Sequence, residues 1–268
     1  MKYTRIRSLI VSCLVLVCVS LTAKAQESDA LSQLHDFRIN NFVALNAYYQ
    51  FSASGATDTL NEVVAGINNA NSALNTINES GQDIFNSDQL GALTTEFESF
   101  KGLMRQNIND VRTNGYPDLR LVSEMANQAE ALSQLSADLY EAGREARPDA
   151  SSPRIEAARS AAVLMAKMMA KYSARSYSSV SQTFQGSDSE AALDEQARTF
   201  DTLIQTLSQG EASEELRRAV DGVATKWQFI RGSYINFNDD NVPFIIDRYS
   251  KGILEGLSDT IEMLKATA

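Results

Sequence analysis

The two halves of this chain repeat one series of markers, so whatever one half folds into, the other is expected to fold into as well. Leu103-Met104-Arg105, Ile108 and Pro117-x-Leu119 return as Phe229-Ile230-Arg231, Tyr234 and Pro243-x-Ile245, each 126 residues later. Upstream, Leu60-Asn61-Glu62, Ile67 and Leu74 return as Leu193-Asp194-Glu195, Phe200 and Leu207 at an offset of 133. Phe51-Ser52-Ala53 matches Tyr172-Ser173-Ala174 at 121. The drift in offset asks for about 12 extra residues near Ser178–Ser189 and about 7 near Glu79–Gln89. Both stretches are polar, where insertions are tolerated.

Within each copy the apolar spacing is that of helices. Leu31, Leu34, Phe37, Phe42, Leu45 and Tyr49 mark the first at steps of three to five. Leu60 to Ile77, Leu90 to Val111 and Leu121 to Leu139 mark three more. In the second half, helices are expected over roughly 153–179, 190–208, 213–236 and 243–266. Strand-type alternation is absent. Asp58, Ser87, Asp188 and Ser213 are placed as caps or first-turn residues. Pro117 and Pro243 sit where helices begin, because proline lacks only a donor that the first turn does not use. Pro148 and Pro153 bracket the polar break Arg147–Ser152, taken as the boundary. The expected fold is all-α: two tandem antiparallel four-helix bundles, eight helices in all, over 26–147 and 153–268.

Residues 1–25 read as a cleaved signal peptide. Lys2, Arg5 and Arg7 precede an apolar run, and Ala23-Lys24-Ala25 offers a small-x-small site with cleavage after Ala25. Ile10-Val11-Ser12-Cys13 loosely fits a lipidation box, but most of the apolar run follows Cys13 instead of preceding it. The expected location is periplasmic or secreted, with no transmembrane segment after cleavage. Both cysteines, Cys13 and Cys18, would leave with the leader, so the mature chain would fold without disulfides. Removing Lys2, Arg5, Arg7 and Lys24 leaves 20 basic against 34 acidic residues, a net charge near −14. Such a field repels nucleic acid, which is excluded as a partner.

Each half resembles the PilJ-type module, related to the extracytoplasmic four-helix bundles of NarX-like sensors. The features are a second helix of the form L-[ND]-E-x4-[IF]-x6-L and a third with an aromatic anchor (Trp227-Gln228-Phe229-Ile230-Arg231). A fourth helix starting near proline completes the set. Arg159–Lys171 (RSAAVLMAKMMAK) lies where that family carries an arginine-rich AGRQRMLSQRMAK-like segment. The resemblance implies a sensor-like, ligand-binding module. The family's arginine positions are Met168, Val163 and Ala161 here, however, and Asn41–Phe51 in the first half also lacks arginine, so anion sensing does not carry over.

Chemistry-bearing sets are few. His35 is the single histidine, which rules out a Ser/His/Asp or Cys/His triad built on any other imidazole; it is expected as a solvated or capping residue. No metal ligand set, cofactor motif or catalytic residue is assigned, and the chain is expected not to be an enzyme. Met165, Met168 and Met169 fit a core stripe, with Cu(I) binding as an alternative. Asn236–Asn241 lacks calcium-loop spacing and, like Asn107–Asn114, is expected to be a turn. Trp227, Phe229 and Tyr234 are expected as core anchors. Asn41, Tyr48 and Tyr49 of helix one, with Lys167, Lys171 and Arg175 of helix five, would line a ligand site if those helices pack together; otherwise they solvate outer faces. The expected partner is a small-molecule ligand or an envelope protein, the latter in a scaffold role.

Overall fold

The computed structural model describes residues 30–146, 151–177, 191–237 and 241–267. Residues 1–29 with Cys13 and Cys18, the start of the polar break at 147–150, the whole polar stretch 178–189 with Asp188, and 238–240 within the expected turn 236–241 lie outside them. The described chain is all-helical, with eight helices and no strand. The helices are α1 over 30–54, α2 Thr57–Ser80, α3 Ser87–Asn114, α4 Leu119–Glu145, α5 Pro153–Tyr177, α6 Leu193–Leu207, α7 Glu214–Ile235 and α8 Pro243–Thr267. Among the described residues none is long and apolar enough to cross a membrane.

Local chemistry sets the helix ends. Asn86 and Gln89 form a reciprocal capping box at the start of α3, each side chain 2.9 Å from the other's backbone nitrogen. Asp118 caps α4 and Ser213 caps α7. Ser87 is thus the first residue of α3, one place inside the cap. Gly115, at φ 82°, closes α3 in the left-handed conformation that lets its N–H reach Val111 O. The segment 107–114, expected as a turn, is therefore the last two turns of α3. Its first residue, Asn107, is fully buried, and its amide donates to Leu103 O at 2.9 Å and Leu121 O at 3.0 Å. The extra residues expected in a polar turn near 79–89 mostly lengthen α2 instead. That helix runs six residues beyond Leu74, whereas α6 stops at the equivalent Leu207.

Buried apolar side chains fall into two clusters. One gathers α1 to α4 around Phe37, Phe97, Phe100 and Met125; the other gathers α5 to α8 around Met168, Phe200, Trp227 and Tyr234. Trp227 and Tyr234 are core residues as expected, but Phe229 is 63% exposed and rests on Tyr249 at 4.6 Å between ring centres. Met165, Met168 and Met169 are buried core side chains, with Met165 Sδ facing the Tyr234 hydroxyl.

The helices α1 and α5 form the seam between the clusters. Ala158, Ala162, Ala166, Ala170 and Ala174 repeat every four residues down α5, and the last three belong to the first cluster instead of the second. Small side chains let the α1 and α5 backbones approach closely. Polar groups then fix the register: Asn46 accepts from Ser173 Oγ at 2.6 Å and donates to Asp247 of α8 at 2.9 Å. Gln50 reaches the same carboxylate at 2.7 Å, and Lys251 pairs with both Asp247 (2.8 Å) and Glu62 of α2 (2.7 Å). On its other side α1 is packed equally tightly. A Cβ on Gly66 of α2 would lie 3.0 Å from the Ala44 backbone.

The seam predicts where volume is not tolerated. Ala170→Leu should lower unfolding stability by about 1–3 kcal/mol through overpacking, whereas Ala92→Leu, on the exposed face of α3, should change it by under about 0.5 kcal/mol. Urea titration followed by circular dichroism measures both.

Candidate functional site

The residues singled out from sequence lie on both sides of the α1–α5 seam but point in different directions. Asn41 is buried; its amide donates to Phe37 O at 2.9 Å, and its Oδ1 is buried without a partner. Tyr48 turns away from α5 and donates to Asn107 Oδ1 at 3.4 Å, and Tyr49 stacks edgewise on Tyr48. Burial pushes both phenols up, well above the ordinary tyrosine range. Lys167 pairs with Glu130 of α4 at 3.1 Å and lies over the Phe42 ring. Lys171 donates to Ala191 O at 2.8 Å just ahead of α6, and Arg175 lies 4.3 Å from the Phe237 ring beyond α7. So Lys167 approaches α1, while Lys171 and Arg175 serve the second half.

A different set converges nearer the start of α1. His35, expected to be solvated, is only 5% exposed, and its Nδ1 is buried without a hydrogen-bond partner. The reason is positional: His35 faces Ala162 of α5 and Leu254, Ser258 and Ile261 of α8, which cover that end of α1. Beside it lies a buried polar network joining three helices. Arg159 of α5 donates to Tyr140 OH of α4 at 2.9 Å and to Ser32 Oγ of α1 at 2.9 Å, and pairs with Glu156 at 3.3 Å. Tyr140 OH donates to Glu156 at 3.0 Å, and the Arg38 guanidinium lies 5.2 Å from the Tyr140 ring centre. Burial raises the Tyr140 phenol to about 12 and lowers Arg38.

Against this network α1, α5 and α8 enclose a crevice of about 210 Å³. Its apolar side is Ile39, Ala162, Leu254 and Ile261; its polar side includes Ser32, His35 and Ser258. Asp36, Glu262 and Lys265 complete it, the last two paired at 2.7 Å. None of the six residues chosen from sequence lines it. His35 titrates well below the ordinary histidine range because burial disfavours the imidazolium, and Arg159, Arg38 and Lys265 add repulsion. The imidazole is therefore neutral near pH 7. Two sequence signals could have pointed to this end of the seam: Ile39 to Ser54 carries no charged residue, the mark of a helix covered on nearly all sides, and Arg159 interrupts the alanine-rich face of α5.

Among the described residues no group of three or more His, Cys, Asp and Glu side chains is disposed to hold a metal ion. Comparison with family models, curated proteins and solved structures finds no match for the chain.

A depressed histidine gives a definite sign to the pH dependence of stability. The unfolded chain binds a proton at His35 below about pH 6.5 while the folded chain does not, so stability falls as pH drops through that value and goes on falling until the folded-state value is reached. Between pH 7.5 and 5.5 the native chain should lose stability with a slope steeper than that of His35→Gln. The difference should approach at most about 1.4 kcal/mol per pH unit, the limit for one proton. Urea unfolding at stepped pH checks it, and equal slopes would mean that His35 titrates alike in the folded and unfolded chains.

Proposed function

We propose that the mature chain is an exported, non-enzymatic binding protein, built as two tandem four-helix units over 26–147 and 153–268, that takes a small molecule in the α1–α5–α8 crevice. The observation that carries this reading is the crevice itself, set where helices of both halves meet and lined by a buried histidine that lacks a partner at Nδ1. Concave, largely preformed hollows with an apolar wall and few polar groups are where small ligands bind. The two apolar clusters, each drawn mainly from four successive helices, support the tandem arrangement. Export rests on the leader-like segment, and the PilJ-type resemblance rests on the sequence motifs alone. The non-enzymatic reading rests on the sequence, to which no catalytic motif is assigned.

A protein partner is a second reading, favoured by one observation. Tyr116 and Leu119 at the α3–α4 turn, and Val242 and Phe244 at the α7–α8 turn, are exposed apolar side chains at equivalent places in the two halves. Single exposed apolar residues are ordinary, so the crevice is the stronger basis.

The crevice reading is tested by blocking it from its rim. A ligand present at 100 times its dissociation constant should stabilise the chain by about 2.7 kcal/mol, seen as a rise in melting temperature across a metabolite screen. Ser258→Trp, which projects a large ring from the exposed side of α8 over the opening, should abolish that rise without lowering the melting temperature of the free chain. A ligand-induced rise that survives the substitution would place binding elsewhere.

A further inference from the structure

We propose that Asn114 is a site of spontaneous deamidation, held back by the last turn of α3 and released as that turn frays. Asn114-Gly115 is the single Asn-Gly step in the chain. Glycine leaves its own main-chain nitrogen unshielded, so that nitrogen can close on the side chain of the residue before it. The surroundings are open as well. Asn114 and Gly115 are both exposed, and nothing lies within 4 Å of where a Cβ on Gly115 would stand. Other asparagines followed by a small residue are held more firmly. Asn69-Ala70, Asn71-Ser72 and Asn75-Thr76 lie inside α2, Asn46-Ala47 is buried in α1, and the Asn86 side chain is engaged by Gln89 as the cap of α3.

The reaction needs only water. Gly115 N, once it has lost its proton, attacks Asn114 Cγ. The new N–C bond closes a succinimide ring, and the side-chain nitrogen leaves as ammonia, taking up the proton that Gly115 N gave. Water then opens the ring at either carbonyl. One product is aspartate; the other is isoaspartate, in which the main chain runs through the former side chain. What delays the attack is the end of the helix. Asn114 is the last residue of α3, and helical geometry turns the next nitrogen away from its side chain. The Gly115 N–H also donates to Val111 O at 2.9 Å, so the nucleophile is occupied while the turn is formed. Terminal turns open at free energies near zero, far below that of global unfolding, so the protection is modest.

The repeat indicates which product the fold accommodates. At the offset of 126 that relates the two halves here, Asn114-Gly115 corresponds to Asp240-Asn241. The second copy therefore carries an acid at the equivalent place and has no Asn-Gly step of its own. Aspartate at 114 reproduces that acid, although it adds a negative charge at the negative end of the α3 dipole. Isoaspartate does more. Its extra main-chain atom moves the Gly115 N–H off Val111 O and shifts the turn that displays the exposed Tyr116 ahead of the Asp118 cap of α4. Modification thus acts on one of the two equivalent turns and leaves the α1–α5–α8 crevice untouched.

The test holds the full chain at pH 8.5 and 37 °C, native and in denaturing urea, with Asn114→Gln alongside. Peptide mass spectrometry reads the exchange of amide for acid at each asparagine, and the isoaspartate share of the product. Residue 114 should convert ahead of every other asparagine and give both aspartate and isoaspartate. The native rate should be about three- to hundredfold below the rate in urea, as the small cost of opening a terminal turn dictates. Asn114→Gln should remove the product, because the longer side chain closes a larger ring far more slowly. At pH 6.0 conversion should be several-fold slower, since Gly115 N is then less often deprotonated. Equal rates in the native and unfolded chains would overturn the role of the helix end. Native conversion slower than about a hundredfold below the unfolded rate would show that the turn does not open as proposed. Conversion led by another asparagine would overturn the site itself.

Discussion

The arrangement of the helices depends on one buried amide. Asn46, fully enclosed near the far end of α1, accepts from Ser173 of α5 and donates to Asp247 of α8, so one side chain ties the first half of the chain to two helices of the second. The Asp247 carboxylate also takes Gln50 and Lys251, and Lys251 reaches on to Glu62 of α2. Removing Asn46, Ser173 or Asp247 would leave a buried polar group without a partner, which costs more than the net worth of the bond. The register of α1 against α5 is therefore specified by hydrogen bonds, while its closeness is set by alanines. Together they make the two halves one cooperative unit.

The same small residues that let the helices approach also leave room. At the level of His35, α5 presents Ala162, and the space that a larger side chain would fill stays open between α1 and α8. The crevice is thus a by-product of the seam, with Ser32 and His35 of α1 on one side and Leu254 and Ile261 of α8 on the other.

Much of the architecture was legible in the sequence because helical spacing and capping are local. The starts of α5 and α8 at proline, the Ser213 cap and the burial of Trp227 all follow from such local rules. The exceptions were cases where tertiary packing overrode local composition. Asn107–Asn114 has the residues of a turn, yet Gly115, and not the asparagines, ends α3, and burial against Leu121 and Tyr48 gives the Asn107 amide its partners. The extra residues near 79–89 went into helix length, which spacing between markers does not reveal. The site was less legible. Asn41, Tyr48 and Tyr49 stood out as polar-aromatic residues, but α1 is covered on nearly all sides, and rotation about its axis sends Tyr48 to α3. His35 looked solvated as a lone histidine near a helix start; only the packing of α8 over that end of α1 places it inside. Ala162, Leu254 and Ile261 carry no chemistry that a sequence could flag.

Cooperativity between the halves is open to direct measurement, because each half holds a unique probe. Trp227, the single tryptophan, reports on the α5–α8 core through its fluorescence, and His35, the single histidine, reports on α1 through its ring resonances. In an equilibrium urea titration both probes should pass through one coincident transition, with the same midpoint and the same slope. Separate midpoints, with Trp227 and His35 losing their native signals at different urea concentrations, would contradict the account by showing that the halves unfold independently and that the Asn46 seam does not bind them.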